Sequence, residues 1–92
     1  MGIPKYRAKR DISEPEIVRA LEQIGMTVWR MDQPVDLLVG WREKTHLVEC
    51  KTGKGKLNKN QLEFTNIWRG SPVVVLRDAQ EAIDWAIEVS QS

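Results

Sequence analysis

Asp36, Glu49 and Lys51 are the residues of this chain whose types and spacing point to chemistry. They fall within one stretch, residues 34–51, which reads PVDLLVGWREKTHLVECK. Two apolar runs, VDLLVGW and THLVECK, flank a polar turn at Arg42-Glu43-Lys44, and this pattern predicts a β-hairpin. Side chains alternate between the faces of a strand, so Leu47, Glu49 and Lys51 share one face and His46, Val48 and Cys50 the other. Asp36 interrupts the apolar run of the first strand. Carboxylates and a lysine among strand residues are costly to bury unless they are paired or placed at a cleft. Two carboxylates brought together across a hairpin repel each other, and a divalent cation relieves the repulsion. Mg²⁺ takes oxygen ligands of this kind, often one or two carboxylates with waters and substrate phosphates.

The elements around the hairpin have readable boundaries. Ser13 is an N-cap for a first helix, and Glu16 three residues on completes a capping box. Pro15 sits in the first turn, where its missing N–H does little harm. Ile12 and Ile17 take the staple positions, Ile17, Leu21 and Ile24 form the buried stripe, and Gly25 ends the helix. Glu16 thus has a structural role, whereas Glu14 has none of this kind. Residues 26–31 (MTVWRM) read as a strand leading through Asp32-Gln33-Pro34 to Asp36. After Lys51 comes TGKGK, expected to be a mobile basic loop; it lacks the spacing of a Walker A loop. Asn58 caps a second helix with Gln61 at the third position and a Leu57–Leu62 staple. That helix is expected to end at Trp68-Arg69-Gly70 with Gly70 left-handed. Residues 72–76 (PVVVL) form an apolar run bounded by turn residues, hence a buried strand. Asp78 caps a last helix with Glu81 three residues on, and Ala82, Ile83, Ala86 and Ile87 are its packing face. The order is α-β-β-β-α-β-α, an α/β protein with one small mixed sheet flanked by helices.

Pro34, Asp36 and Glu49-Cys50-Lys51, set in this order of elements, resemble the PD-(D/E)XK nuclease superfamily. The chain is most similar to the VRR-NUC and Holliday-junction-resolvase-like branch, whose small members are often carried by phages; Val75-Leu76-Arg77 is its nearest approach to a V-R-R segment. The resemblance covers nearly the whole chain. It implies a restriction-endonuclease-like core, with residues 12–92 as a single nuclease domain behind a basic arm, residues 1–11. It also implies a metal-dependent DNA endonuclease. Asp36 and Glu49 would hold Mg²⁺ or Mn²⁺, and Lys51 would orient the attacking water and offset charge on the phosphate. A Glu at the start of the first helix points at the metal in this branch. The match places that role on Glu14, with Glu16 as fallback; both also complement the helix dipole. Cys50 would reach the metal only through its backbone carbonyl. Gln61 would help organise the water or metal shell, besides capping its helix. Lys54, Lys56 and Lys59 would contact DNA phosphates. A branched or junction DNA substrate, a homodimer, and the cytoplasm of a bacterial host or phage-infected cell complete the expectation. Two competing readings keep the fold without cleavage: a DNA-binding module, and an interaction subunit of a larger phage or restriction assembly. All three motif positions are filled, which argues against a decayed site.

The totals agree with one small domain: 92 residues, 41% hydrophobic and 29% charged. A net charge of +1 does not by itself announce a nucleic-acid partner. The distribution says more, because Lys5, Arg7, Lys9 and Arg10 cluster before the first helix and Lys51, Lys54, Lys56 and Lys59 follow one another closely. The N-terminal cluster reads either as a frayed terminus or as a phosphate-contacting tail. One cysteine excludes an intrachain disulfide and fits a reducing cytosol. No apolar stretch approaches membrane-spanning length, and no signal-peptide core is expected. One histidine makes no zinc site and no Ser/His/Asp set. His46 is therefore expected in the core or at its edge. Four tryptophans are a high load for this length, and they serve either an interface or the rim of a small core.

Overall fold

The computed structural model describes residues 11–91. Its elements run α1 (Glu14–Ile24), β1 (Thr27–Arg30), β2 (Leu37–Trp41), β3 (Lys44–Cys50), α2 (Lys59–Ile67), β4 (Val74–Leu76) and α3 (Ala79–Ser90). The strands form one sheet in the order β1-β2-β3-β4. The first three pair antiparallel, and β4 joins β3 in parallel. The architecture is mixed α/β, in the element order that the sequence predicts. Residues 1–10 of the expected basic arm lie outside the described residues.

In the β2–β3 hairpin, Leu37 stands opposite Val48 and Trp41 opposite Lys44. Lys44 therefore belongs to β3, and the turn is Arg42-Glu43 alone. Both turn residues have positive φ, 51° and 67°. Two-residue turns of this hand match the twist of the strands, but they favour Asn-Gly because other residues resist that region. Side-chain contacts offset the cost here. The Arg42 guanidinium lies 5.2 Å from the centre of the Trp41 ring, and its Nη1 donates to the Ser90 carbonyl at 3.1 Å. The turn is thereby fastened to the end of α3.

The core occupies one side of the sheet. Leu37, Val39, Val48 and Leu76 from the strands meet Ile17 and Leu21 of α1 and Ala82 and Ala86 of α3. Burial of each large aliphatic side chain is worth about 1.5–3 kcal/mol. Ile87, expected on the packing face of α3, is exposed; Val89 packs against the core instead. Only Leu76 of β4 is buried, so that strand is shorter and less enclosed than its apolar run suggests. Among the described residues, no helix is long and apolar enough to cross a membrane.

The helix ends separate local from tertiary control. Gly25 closes α1 at φ 109°, with the Gly25 and Met26 N–H groups donating to Glu22 and Leu21 carbonyls. The start of α1 departs from expectation. Ser13 has helical backbone angles, and its side chain makes no cap. Its hydroxyl contacts Asp11 Oδ1 at 2.7 Å and the Lys51 carbonyl at 3.2 Å. Glu16 reaches across to α3, where its Oε2 accepts from the Ala79 N–H at 2.7 Å. Ile12 is 83% exposed, so it staples nothing. At α2 the expected capping box is complete: Asn58 Oδ1 accepts from Gln61 N at 2.9 Å, and Gln61 Oε1 accepts from Asn58 N at 2.8 Å. α2 buries no side chain at all. It ends at Ile67, Trp68 is already extended, and Gly70 is not left-handed.

Candidate functional site

The site is built at the carboxyl end of β3. The parallel ladder runs one bond beyond the strand, Lys51 N donating to the Leu76 carbonyl at 3.0 Å. That bond fixes the backbone on which Glu49 and Lys51 stand. Asp36 lies just before β2 and is aimed by the neighbouring strand, because Cys50 N donates to Asp36 Oδ2 at 2.8 Å. The Asp36 carbonyl in turn accepts from Met31 N at 2.7 Å, closing the β1–β2 connection around it. The result is a cleft of about 430 Å³ lined by Asp36, Glu49, Cys50, Lys51 and Gln61, with Asp11, Asn58 and Phe64 among its other walls.

Glu49 is 1% exposed, and its Oε2 is buried without a hydrogen-bond partner. Its pKa is pushed well above the usual carboxylate range. Burial is the largest cause, followed by the hydrogen-bonding contact and negative charge of Asp36; the Lys51 ammonium pulls the other way, and Glu14 adds to the rise. An ionised Glu49 is thus costly in the metal-free protein, and either a proton or a cation relieves it.

Glu14 is also 1% exposed. One carboxylate oxygen of Glu14, one of Asp36 and the Cys50 sulfur lie within 4.8 Å of one another. Arg30, at the end of β1, places its Nε 3.3 Å from Glu14 Oε2, so the carboxylate is charge-compensated. Glu14 does not line the cleft; it stands with Asp36 and Cys50 rather than with the open site. Of the two glutamates the sequence offers, Glu14 enters the acidic group, and Glu16 is held by the start of α3. Cys50 was expected to offer a metal only its carbonyl, yet its thiol faces the carboxylates. Burial and then the charges of Asp36, Glu14 and Glu49 push that thiol up. A hard cation such as Mg²⁺ prefers the two carboxylate oxygens of this group to the sulfur.

The lysines fall into two groups. Lys51 lines the cleft, whereas Lys54, Lys56 and Lys59 are exposed and none of the three does. The loop that carries Lys54 is hydrogen-bonded both within itself and to Arg77. Gly55 N donates to the Thr52 carbonyl at 3.0 Å, Gly53 takes φ 57°, and Arg77 Nη1 donates to the Gly53 and Gly55 carbonyls at 2.8 and 2.7 Å. Asp11 fastens the other side: its Oδ1 accepts from Ser13 N, from the Ser13 hydroxyl and from the Thr52 hydroxyl. Burial works to raise the Asp11 carboxyl, and the hydrogen bonds from Thr52 and Ser13 outweigh it, holding the group low. Asp11 therefore belongs with the folded domain although composition groups it with the basic arm.

Gln61 does line the cleft, but its Oε1 is engaged at the helix cap. What remains for the cleft is its amide nitrogen, which donates and does not ligate a cation. His46 takes a core-edge role, its ring set edge-on to Trp85 at 5.1 Å. Burial, then the charge of Lys44, lower its pKa. Four residues escaped sequence reasoning: Asp11, Arg30, Phe64 and Arg77. Phe64 had no signal, since one aromatic on a polar helix announces nothing. Arg77, immediately after an apolar strand that must pair with β3, could have been placed near the loop that follows β3.

Compared with known proteins, the chain matches no family model, no curated protein and no solved structure.

Proposed function

We propose that this protein is a divalent-metal-dependent DNA endonuclease with a restriction-endonuclease-like core of the PD-(D/E)XK type, acting on branched DNA. The observation that carries the reading is the meeting of Asp36, Glu49 and Lys51 in one cleft, with a Glu49 oxygen buried and unpartnered. Buried polar atoms are almost always satisfied, and an orphan carboxylate oxygen beside a second carboxylate fits a cation.

Asp36 and Glu49 would hold Mg²⁺ or Mn²⁺, with Glu14 beside Asp36 adding negative charge. When bound there, the cation supplies polarisation of a phosphate oxygen and a more acidic coordinated water. The rest is done by the chain. The Cys50 N–H holds Asp36 in its rotamer. Lys51 offsets negative charge that builds on the phosphate and orients the attacking water. Gln61, through its amide nitrogen, donates a hydrogen bond to the phosphate or the water. Lys54, Lys56 and Lys59, exposed outside the cleft lining, contact phosphates farther along the strand. Substituting Arg for Lys51 does not preserve this geometry, because the guanidinium is larger and planar.

A twofold dimer, presenting two such sites to the arms of a junction, belongs to the same proposal. Trp41 and Trp85 pack against the core, but Trp29 on edge strand β1 is 69% exposed, an aromatic that the single core does not use. The experiment is a panel of labelled linear, flapped and four-way DNAs with Mg²⁺, Mn²⁺ or chelator, run beside light scattering. Metal-dependent cleavage that favours the four-way substrate, from a particle of about twice 10.6 kDa, is the expected result. No cleavage of any DNA with either metal refutes the endonuclease.

A further inference from the structure

We infer that α2 forms a stacking platform for an unpaired DNA base next to the phosphate held in the cleft. The inference rests on the nuclease reading for its substrate class and adds which part of that substrate the helix takes.

α2 is not built for the core. None of its side chains is buried, yet it carries Phe64 into the wall of the cleft. Trp68, one helical turn on, stacks against Phe64 with ring centres 5.2 Å apart and planes 28° apart. The indole is held from behind. Its Nε1 donates to the Ser71 carbonyl at 2.8 Å, and the ring crosses Gly70 so closely that a Cβ there would lie 2.4 Å from it. Gly70 is needed for that approach rather than for a left-handed turn. Two aromatic rings thus stack: Phe64, which lines the cleft from a helix that gives the core nothing, and Trp68 just beyond the end of that helix.

The opposite wall supplies the complementary chemistry. Asp36, Glu49 and Lys51 are suited to a phosphate and its cation, while the α2 side offers a ring and the amides of Asn58, Asn60 and Gln61. A nucleotide presents both halves, an anionic phosphate and a planar base with a hydrogen-bonding edge. The cleft volume, about 430 Å³, falls in the range of pockets that hold small ligands. A base inside continuous duplex is already stacked on both faces, so only an unpaired base has a face to give to Phe64. Every base has such a face, so the platform tolerates any sequence. The substrate is accordingly DNA with a splayed or single-stranded nucleotide at the cut, such as a branch point or flap.

The test measures binding in chelator, without cleavage, using fluorescence anisotropy. A short thymidine oligonucleotide is compared with an abasic chain of equal length. Wild type is expected to prefer the base-bearing strand by about 5- to 150-fold, the range for one base stacked on an aromatic ring. Phe64→Leu and Phe64→Ala are expected to bring that ratio near one while leaving affinity for the abasic chain unchanged, and Phe64→Tyr to restore it. Circular dichroism and melting should stay at wild-type values, since α2 adds no buried side chain. Equal binding of the two strands by wild type, or a wild-type ratio in Phe64→Leu, overturns the inference. Because no divalent ion is present, the ratio is read independently of cleavage. A protein that cuts no DNA but keeps the Phe64-dependent ratio refutes the nuclease and leaves the platform standing.

Discussion

Helices α1 and α2 begin with the same sequence device and end up differently. Ser13 with Glu16 and Asn58 with Gln61 both have the spacing of a capping box, yet only the second forms one. Each member of the first pair has found a more distant partner: the Ser13 hydroxyl meets Asp11 and the Lys51 carbonyl, and Glu16 caps α3. The start of α3 lies between the two cases. Asp78 accepts from Glu81 N as a cap should, but Glu81 Oε1 accepts from Arg77 N instead of closing the box. Local chemistry prevails where a helix buries nothing and is overridden where helices pack on each other. The cleft lies between these regimes. One wall is held by buried tertiary contacts and carries the carboxylates; the other is a helix with local support only.

The widest gap between the two walls should appear in catalysis. Asp36→Ala and Glu49→Ala remove what would hold the cation. Cation catalysis is worth several kcal/mol, so cleavage should fall by on the order of 10³-fold or more. Glu14→Ala should reduce cleavage more than Glu16→Ala, since only Glu14 stands beside Asp36. Initial rates on one labelled junction decide this; wild-type cleavage by Asp36→Ala would remove the metal site from consideration.

Next in size is a pH effect confined to the strand wall. Glu49 has a folded-state pKa above its unfolded one. Between the two values the folded protein holds a proton that the unfolded chain has released, so stability falls as pH rises. One such proton gives a slope of at most about 1.4 kcal/mol per pH unit. His46, lowered by burial, works in the opposite sense but only below its ordinary value. The clean window is therefore from about pH 7 to about pH 8.5, below the ordinary ionisation of a thiol. Urea melts of metal-free protein across that window should show the slope, and Glu49→Gln should flatten it. Saturating Mn²⁺ should also flatten it in wild type, and an unchanged slope in Glu49→Gln would assign the titration to another group.

How much of this was legible in sequence follows the same division. Alternation and turn chemistry were enough for the hairpin, and they put Glu49 and Lys51 on one side of β3. The element order and the α2 cap were also readable, because each depends on residues close together in the chain. Misread features depend on distant partners. The Ser13 cap fails because Asp11 and Lys51 compete for the hydroxyl, and Ile87 is exposed because α1 meets α3 through Ala82 and Ala86. The basic loop offered no sign of its contact with Arg77, which lies beyond the next helix and donates to the Gly53 and Gly55 carbonyls. The acidic residues were largely legible: Asp36 and Glu49 stood out, and Glu14 was preferred to Glu16 because Glu16 already had a structural role, but that role is a bond to the start of α3 and not the expected capping box.

The third effect tests the overridden box. Glu16→Ala leaves the Ala79 N–H at the start of α3 without its carboxylate. Losing a cap costs about 0.5–2 kcal/mol, and here it acts across the α1–α3 contact, so the loss should be global. Thermal melting should show it as a drop of several degrees. Glu16→Gln, which keeps an acceptor oxygen, should recover part of it. A wild-type melting temperature for Glu16→Ala would mean that the interhelix cap carries no weight.

The smallest global effect belongs to the box that formed. Asn58→Ala removes the side-chain acceptor for Gln61 N and leaves the Gln61 side chain to cap alone. The cost to α2 is again about 1 kcal/mol. A nine-residue helix is marginal on its own, and this one buries no side chain, so the loss should appear as local opening. The sheet need not follow, because α2 only spans the crossover from β3 to β4. Hydrogen exchange at α2 amides should speed up about fivefold, the factor for 1 kcal/mol, with the melting temperature within about a degree of wild type. Cleavage should weaken with it, since Gln61 and Phe64 ride on this helix into the cleft. A melting temperature that drops as far as in Glu16→Ala would show that α2 unfolds only with the core. The two walls would then be one cooperative unit, and the contrast between the capping boxes would describe geometry without describing stability.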